Sequence, residues 1–490
     1  MATEGKEPTS SMGDDTPMPP VAQFHRPVAH YLKQRFAQVT NPPIDHLREH
    51  EVMSLRTLLG PRQPILSERA EAARLVELGS FMLYPDGLRR IVLDRDIPWP
   101  VQAVDATFPV ADGPRGLEPA LHRLGDEAVT AVSGGAGILV VSDVGSDEQR
   151  VRVPIPLAVG AVHQRLLREG LRTRASIVAE TDEARETHDM ACLLGYGADA
   201  IVPRLAFEMF AHLADEGLLR GDDVSGSDAQ ERYRTALEDG VLKIMSKMGI
   251  STVDSYRSVQ IFEAVGLGRD VVDLCLTGTV SQLGGVTFAD LAEDVLAQHA
   301  AAFRGVVADD KALPSPGIIK FKRGGEYHDV NPDVVAALHD ALGLGKKPAT
   351  EPFSADGDAY RPTLAERAAH LLLKATREGR FEHYQRFAEL VERRPWLAPR
   401  DLVTFRDDVE PVPLEEVEPC SAITARFSTG AMSHGALSAE AHETLAVAMN
   451  LIGGAANSGE GGEDPAATAP AAAPWTETAA SSRWLRAASG

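Results

Sequence analysis

The feature that most constrains the fold of this chain is a series of short apolar segments separated by helical ones. The apolar segments are GILVVSD at 137–143, RASIVAE at 174–180 and DAIVPRL at 199–205, and the helical stretch IPLAVGAVHQRLLREG lies between the first two. A strand that is apolar along its whole length is typical of a parallel sheet covered on both faces. We therefore expect the middle of the chain to be α/β.

The charge of the chain restricts its partners. The 490 residues include 49 Lys and Arg against 71 Asp and Glu, which gives a formal net charge of −22. No stripe of Lys and Arg offsets this charge, so the surface repels nucleic acid and anionic lipid. The sequence also lacks a long apolar run and the pattern of a secretory signal. We expect no nucleic-acid partner, no membrane and a cytoplasmic location.

The cysteines argue against a metal centre. Cys192, Cys275 and Cys420 lie too far apart to form a CxxC pair. Such sparse usage suits a reducing compartment rather than a disulfide framework. We predict no metal site, and the ligands of an iron–sulfur cluster are absent from the pattern.

Composition divides the chain into four predicted regions. Residues 1–50 form a linker-like edge whose start is rich in Pro, Ser, Thr and acidic side chains, and residues 51–305 carry the α/β pattern. Residues 306–465 begin with a segment rich in Gly, Pro and charge and continue into connecting helices. Residues 466–490 are an atypical tail rich in Ala, Ser and Arg.

One predicted helix of the third region carries aromatic residues. Phe381, Tyr384, Phe387 and Leu390 recur at helical spacing. Apolar residues at this spacing usually face a core, so we expect these side chains to be buried against protein and not against a cofactor.

A second helix is predicted further on. Ser438 is suited to cap the segment AEAHETLAVAMN, and Gly453 is suited to end it. Its predicted apolar face includes Leu445 and Ile452, whereas His442 falls among positions predicted to be exposed. We assign no catalytic residue here, because the sequence pattern does not indicate a catalytic role for His434 or His442.

Several collinear segments are similar to the large subunit of bacterial glutamate synthase. They include RFAQVTNPPIDHLRE at 35–49, VMSLRTLLGPR at 52–62, LKIMSKMGISTVDSYRSVQIFEAVGL at 242–267, and the stretch from TGAMSHG to EGGEDP at 429–465. The resemblance spans the central domain and the start of the FMN-binding synthase domain of that family. It implies a barrel-like central domain with a parallel sheet, followed by an incomplete (β/α)8 FMN-binding barrel.

The resemblance also implies a cofactor site. FMN is the family's cofactor, and the matching positions are Gly430, Ala431, Met432, Ser433, Asn457 and Glu460. Small residues such as Gly and Ala let a flavin ring lie against the backbone. The alternatives without a binding role are a Gly-rich strand-to-helix turn for the first four positions and a solvated acidic turn for the loop at 456–464.

The family's reaction is the reductive amination of 2-oxoglutarate with ammonia derived from glutamine, which gives glutamate. By resemblance, 2-oxoglutarate and ammonia are the small-molecule partners, and other glutamate synthase subunits or neighbouring fragments are protein partners. The electron donor, NADPH through a small subunit or ferredoxin, stays open. The family's N-terminal nucleophilic cysteine has no counterpart here, because the first cysteine is Cys192.

We interpret the sequence as a fragment of the large subunit with little activity alone, and the tail as the result of a shifted reading frame. Two alternatives remain: a noncatalytic structural or assembly protein, and one piece of a split glutamate synthase. The family's Asn-Pro-Tyr after GADAI is replaced here by Val202, Pro203 and Arg204. We expect the segment around Lys247 and Arg257 to be structural.

Overall fold

The computed structural model describes residues 1–7, 14–35, 47–64, 66, 68–219, 224–303, 315–332, 381–392, 395–431 and 437–459. The chain divides into two units, Met1–Val403 and Thr404–Gly490. The boundary predicted near residue 306 stays a prediction.

The described strands all belong to the first unit. They are β1 Leu32–Gln34, β2 Thr57–Leu59, β3 Val76–Leu78, β4 Val101–Asp105, β5 Thr107–Pro109, β6 Ile138–Ser142, β7 Arg150–Arg152, β8 Ser176–Thr181, β9 Ala200–Pro203, β10 Phe262–Leu267 and β11 Val280–Val286.

The first unit also contains α-helices, which are interspersed with these strands along the chain. They are α1 Glu49–Val52, α2 Pro85–Leu93, α3 Leu117–Ser133, α4 Ile155–Arg168, α5 Thr187–Gly195, α6 Arg204–Asp215, α7 Gly226–Met248, α8 Val253–Tyr256, α9 Arg269–Cys275, α10 Phe288–Phe303 and the helix Phe381–Glu392.

The predicted parallel sheet is confirmed. It has four strands in the order β4-β6-β8-β9, and every neighbouring pair is parallel. Parallel neighbours need a long crossover, and α3, α4 and α5 supply the three crossovers. The three apolar segments singled out in the sequence are β6, β8 and β9.

Both faces of this sheet are buried because side chains alternate along each strand. Leu139 and Val141 of β6 lie in the large core that includes α3, α4 and α5. Ile138 and Val140 lie in a smaller core on the other face, with Leu59 and residues of α2. The two cores explain why these strands read as continuous apolar runs.

A second sheet has no strand in common with the first among the described residues. Its order is β1-β10-β11, with β1 antiparallel and β11 parallel to β10. Two further antiparallel pairs are β2 with β3 and β5 with β7. Among the described strands the sheets do not join into a closed ring, so the structure bears out a mixed α/β fold with a parallel sheet.

The N-terminal segment packs onto the first unit more closely than a linker-like edge predicts. Arg26 is buried, and its Nη2 lies 3.5 Å from the carboxylate of Glu326. The Asp15 carboxylate meets the His328 ring at 2.9 Å. These partners are about three hundred residues away along the chain, so local composition could not reveal them.

One core prediction was wrong. Phe381 and Tyr384 stack on one another at 5.8 Å but are 67% and 48% exposed. An amphipathic pattern shows that a helix has an apolar face, but tertiary packing decides whether that face is covered. The side chains of Phe387 and Leu390 lie outside the described residues.

Within the described residues, no helix is both long and apolar enough to cross a membrane. In the same part of the chain, no group of three or more His, Cys, Asp and Glu side chains could hold a metal ion.

Candidate functional site

The second unit contains a short strand–helix–strand arrangement. Ser428 and Ala455 form a parallel bridge, the Thr429 N–H donates to the Ala455 carbonyl at 3.0 Å, and the Ala455 N–H donates to the Phe427 carbonyl at 3.0 Å. The helix Ala439–Leu451 connects the two paired segments. A helical crossover is the usual way to join parallel neighbours.

The ends of this helix agree with the sequence. Ser438 accepts the N–H of Ala441 through its side chain, which confirms it as the N-cap. Gly453 has a φ of 77°, a left-handed conformation that glycine adopts without steric cost, and its N–H donates to the Asn450 carbonyl. The helix begins and ends where the capping residues predict.

Three of the predicted cofactor residues lie within the described chain. Gly430 and Ala431 directly follow the first paired segment, and Asn457 follows the second. The Asn457 N–H donates to the Thr429 Oγ1 at 3.0 Å, so the two segment ends are neighbours. Because ligands of parallel sheets bind at the carboxyl ends of strands, this is the edge where a site is expected. Met432, Ser433 and Glu460 lie outside the described residues.

The space beside Gly430 is open among the described residues. Apart from Gly430 and its two chain neighbours, no heavy atom of the described chain lies within 4 Å of the position a Cβ would take at Gly430. Asn457 is exposed, and its Oδ1 accepts the Gly459 N–H at 2.9 Å. This bond orients the side-chain amide, whose Nδ2 carries two N–H donors.

The prediction for His442 was wrong, because the ring is only 2% exposed. Leu445 and Ile452, placed by prediction on the apolar face, are 43% and 51% exposed. Helical periodicity gives the relative directions of side chains, but the packed face depends on which segments reach the helix.

A second polar group lies at the carboxyl ends of β6 and β8 and was not predicted. Asp143 is buried, and its carboxylate accepts the Thr181 hydroxyl at 2.6 Å and the Asp182 N–H at 3.1 Å. Burial is the main cause that raises the pKa of Asp143 to about 6, and the nearby Asp182 charge adds to it. Arg204, which stands where the family has Tyr, donates to Asp182. The available signal was an acidic residue directly after β6 and after β8.

A third group lies at the amino ends of β8 and β9. Asp199 is buried and pairs with both Arg172 and Arg257. Burial alone would raise the pKa of Asp199, but the two guanidinium groups and the Ile177 N–H outweigh it and hold the pKa below its ordinary value. Arg257 is therefore held in a buried ion pair, and the structural interpretation of its segment stays a prediction.

His163 completes this amino-end group. Its Nδ1 accepts the Arg172 Nε–H at 2.8 Å, which leaves the ring proton on Nε2. Burial, aided by the Arg172 charge, lowers the pKa of His163 to about 3. The ring is therefore neutral at physiological pH.

Comparison with known proteins identifies the family. Residues 1–268 match the description "Glutamate synthase central domain", and residues 363–484 match "Conserved region in glutamate synthase". This chain belongs to the glutamate synthase family. The family predicted from the collinear segments is confirmed.

Most of this chain aligns with part of much longer relatives. The ferredoxin-dependent glutamate synthase 2 of Synechocystis sp. is 42% identical over 478 residues, which cover 95% of this chain and 28% of the relative. The NADPH glutamate synthase large chain of Bacillus subtilis is 39% identical over 466 residues, which cover 94% and 28%. The chain spans little more than a quarter of the length of these glutamate synthases.

Similarity to solved structures is slight. The flavin-binding domain of baker's yeast flavocytochrome b2 has a TM-score of 0.23 and 16% identity, over 30% of this chain and 36% of that one. Values this low do not establish a shared fold.

Proposed function

We propose that this chain supplies the central domain and the opening of the FMN-binding barrel of a glutamate synthase. The reaction of the whole protein is then the reductive amination of 2-oxoglutarate with ammonia from glutamine, which yields glutamate. The observation that carries the proposed site is the contact between Asn457 and Thr429, since it joins the two segment ends that hold the family's motifs.

In this proposal FMN lies at the carboxyl edge of the paired segments. Reduced FMN, when bound, supplies the hydride for the amination. Gly430 leaves the backbone open to the ring, Ala431 adds only a methyl group, and Asn457 offers N–H donors. Met432, Ser433 and Glu460 are assigned to the same site by their positions in the motifs.

The protein partners in this proposal are other segments of glutamate synthase. The relatives named above act with ferredoxin or with NADPH according to their names. Either donor is compatible with a chain that covers 28% of each relative, so we leave the donor open.

Flavin retention tests the site directly. The full chain, mixed with excess FMN and freed of unbound ligand, should keep a shifted flavin spectrum with quenched fluorescence. Gly430→Val should lose this retention, because its side chain would occupy the ring's approach. Gly79→Val is the matched control, since Gly79 also has no atom within 4 Å of its Cβ position. Equal retention by Gly430→Val and the wild type would contradict the proposed site.

A second candidate is a noncatalytic assembly role. It is favoured by large apolar side chains exposed in the second unit, among them Phe405 at 95%, Leu414 at 83% and Leu451 at 51%. Exposed apolar surface of this kind commonly marks a protein interface. Co-purification with a full-length glutamate synthase large subunit, without flavin retention by this chain, would favour the assembly role over the cofactor site.

A further inference from the structure

A cavity of about 340 Å³ lies within the first unit, at the amino ends of β8 and β9. Its lining includes Arg62, Arg172, Arg257, Asp199, Asp254 and His163. Cavities that hold small ligands start at roughly 300 Å³, so a small molecule fits this space.

The charged groups that line the cavity leave a net positive charge. Three arginines face two aspartates, while the chain as a whole carries −22. Asp199 forms ion pairs with both Arg172 and Arg257, and Arg257 forms a second ion pair with Asp254. The charge of Arg62 is the least neutralised of the three. Its Nη2 lies 3.6 Å from Asp254, and that carboxylate is closer to Arg257.

Several N–H donors of the lining residues have no acceptor among the described residues. Arg62 donates from Nη2 to the Leu58 carbonyl at 3.1 Å, and within the described part of the chain its other N–H groups have no hydrogen-bond acceptor. The Arg257 Nε is buried and also lacks an acceptor among the described residues. His163 is neutral with its proton on Nε2, so it adds an N–H donor without adding charge.

The backbone beside Arg257 is held in an uncommon conformation. Ser258 and Gln260 have φ values of 62° and 55°, and both residues line the cavity. In the described chain they are the non-glycine residues with positive φ. Such conformations cost free energy and are concentrated at binding and catalytic sites.

We propose that this cavity binds a small oxyanion, a carboxylate or phosphate group, with Arg62 as its main donor. A guanidinium presents two parallel N–H groups that match two oxygens of such an anion. One bound negative charge would balance the excess of one arginine over the aspartates. This inference concerns the central domain and does not rest on the flavin site.

The test is calorimetric titration of the full chain with sodium phosphate and, separately, sodium succinate. Ionic strength is held constant with sodium chloride, so that general screening is the same throughout. We expect saturable binding at a single site by at least one of the two anions. Saturation by phosphate alone would identify a phosphate site, and saturation by succinate alone a carboxylate site.

Three variants connect the binding to Arg62. Arg62→Gln should weaken binding at least about tenfold, the size expected for losing a charge-assisted hydrogen bond. Arg62→Lys keeps the charge without the fork and should give an intermediate affinity. The control is Arg56→Gln, since Arg56 is exposed and pairs with Glu77 on the surface, and it should bind like the wild type.

Circular dichroism would first establish that each variant is folded. Absence of saturable binding by both anions in the wild type would overturn the proposal. Equal affinities of wild type, Arg62→Gln and Arg62→Lys would overturn it as well.

Discussion

Arg172 donates from its Nη2 to the Oδ2 of Asp199 at 2.8 Å, and this ion pair joins the loop before β8 to the start of β9. The same guanidinium donates to the carbonyls of Ala175 and Gly197. Arg257, which directly follows α8, also pairs with this carboxylate, and it donates a hydrogen bond to the Thr57 hydroxyl of β2. One buried carboxylate thus ties together the amino end of the parallel sheet.

Asp199→Asn should destabilise the first unit strongly. The substitution leaves two largely buried guanidinium groups without their shared carboxylate, and breaking a buried pair costs about 3–5 kcal/mol. Urea unfolding would measure the loss. The matched control is Asp273→Asn, which breaks an exposed pair with Arg269 and should change the free energy of unfolding by less than about 0.5 kcal/mol. Similar effects of both substitutions would contradict the role assigned to Asp199.

Asp143 should make stability fall as pH rises through the weakly acidic range. Its pKa in the folded chain is about 6, above the ordinary value of 3.8, so the folded state binds this proton more tightly than the unfolded state does. The contribution is present below pH 3.8 and is lost as pH rises to about 6. The loss amounts to roughly 2–3 kcal/mol.

Asp143→Asn removes the titrating group and keeps an oxygen acceptor for the Asp182 N–H. Urea unfolding of wild type and variant at several pH values between about 4 and 7 would isolate this contribution. The free-energy difference between the two proteins should shift in favour of the variant as pH rises. A difference that is constant across this range would show that Asp143 titrates normally.

Gly160→Ala should disrupt the contact between α4 and α9. A Cβ at this position would lie 2.1 Å from the Cys275 carbonyl oxygen, so the helices would have to separate. Overpacking of this kind costs about 1–3 kcal/mol. Gly87→Ala in α2 is the control, since its Cβ would meet the Leu83 side chain at an ordinary 3.6 Å. Thermal unfolding should show a lower Tm for Gly160→Ala and an equal or higher Tm for Gly87→Ala. The same change in both variants would mean that α4 has room to move.

The elements that the sequence predicted well are those set by local chemistry. The apolar segments at 137–143, 174–180 and 199–205 became β6, β8 and β9, because burial on both faces requires apolar residues at every position. Ser438 and Gly453 fixed the ends of one helix through a side-chain cap and a left-handed φ. Each of these features depends on residues within a few positions of one another.

Burial and charge pairing depend on contacts between distant segments, and the sequence predicted them less well. His442 was expected to be exposed and is buried, whereas Phe381 and Tyr384 were expected in a core and are exposed. The interactions that decide burial involve segments far apart in the sequence, such as Arg26 with Glu326. Periodicity gives the direction of a side chain relative to its neighbours but not what stands opposite it.

The sequence by itself determined the family, the parallel α/β arrangement and the motifs proposed to bind flavin, because these depend on residue type, order and spacing. The tertiary structure alone decided that Asp199 sits between Arg172 and Arg257, that Asp143 is buried beside Thr181, and that the ends of two segments meet at Thr429 and Asn457. Desolvation and ion pairing depend on distance in space, and distant parts of the chain reach one another only when it folds.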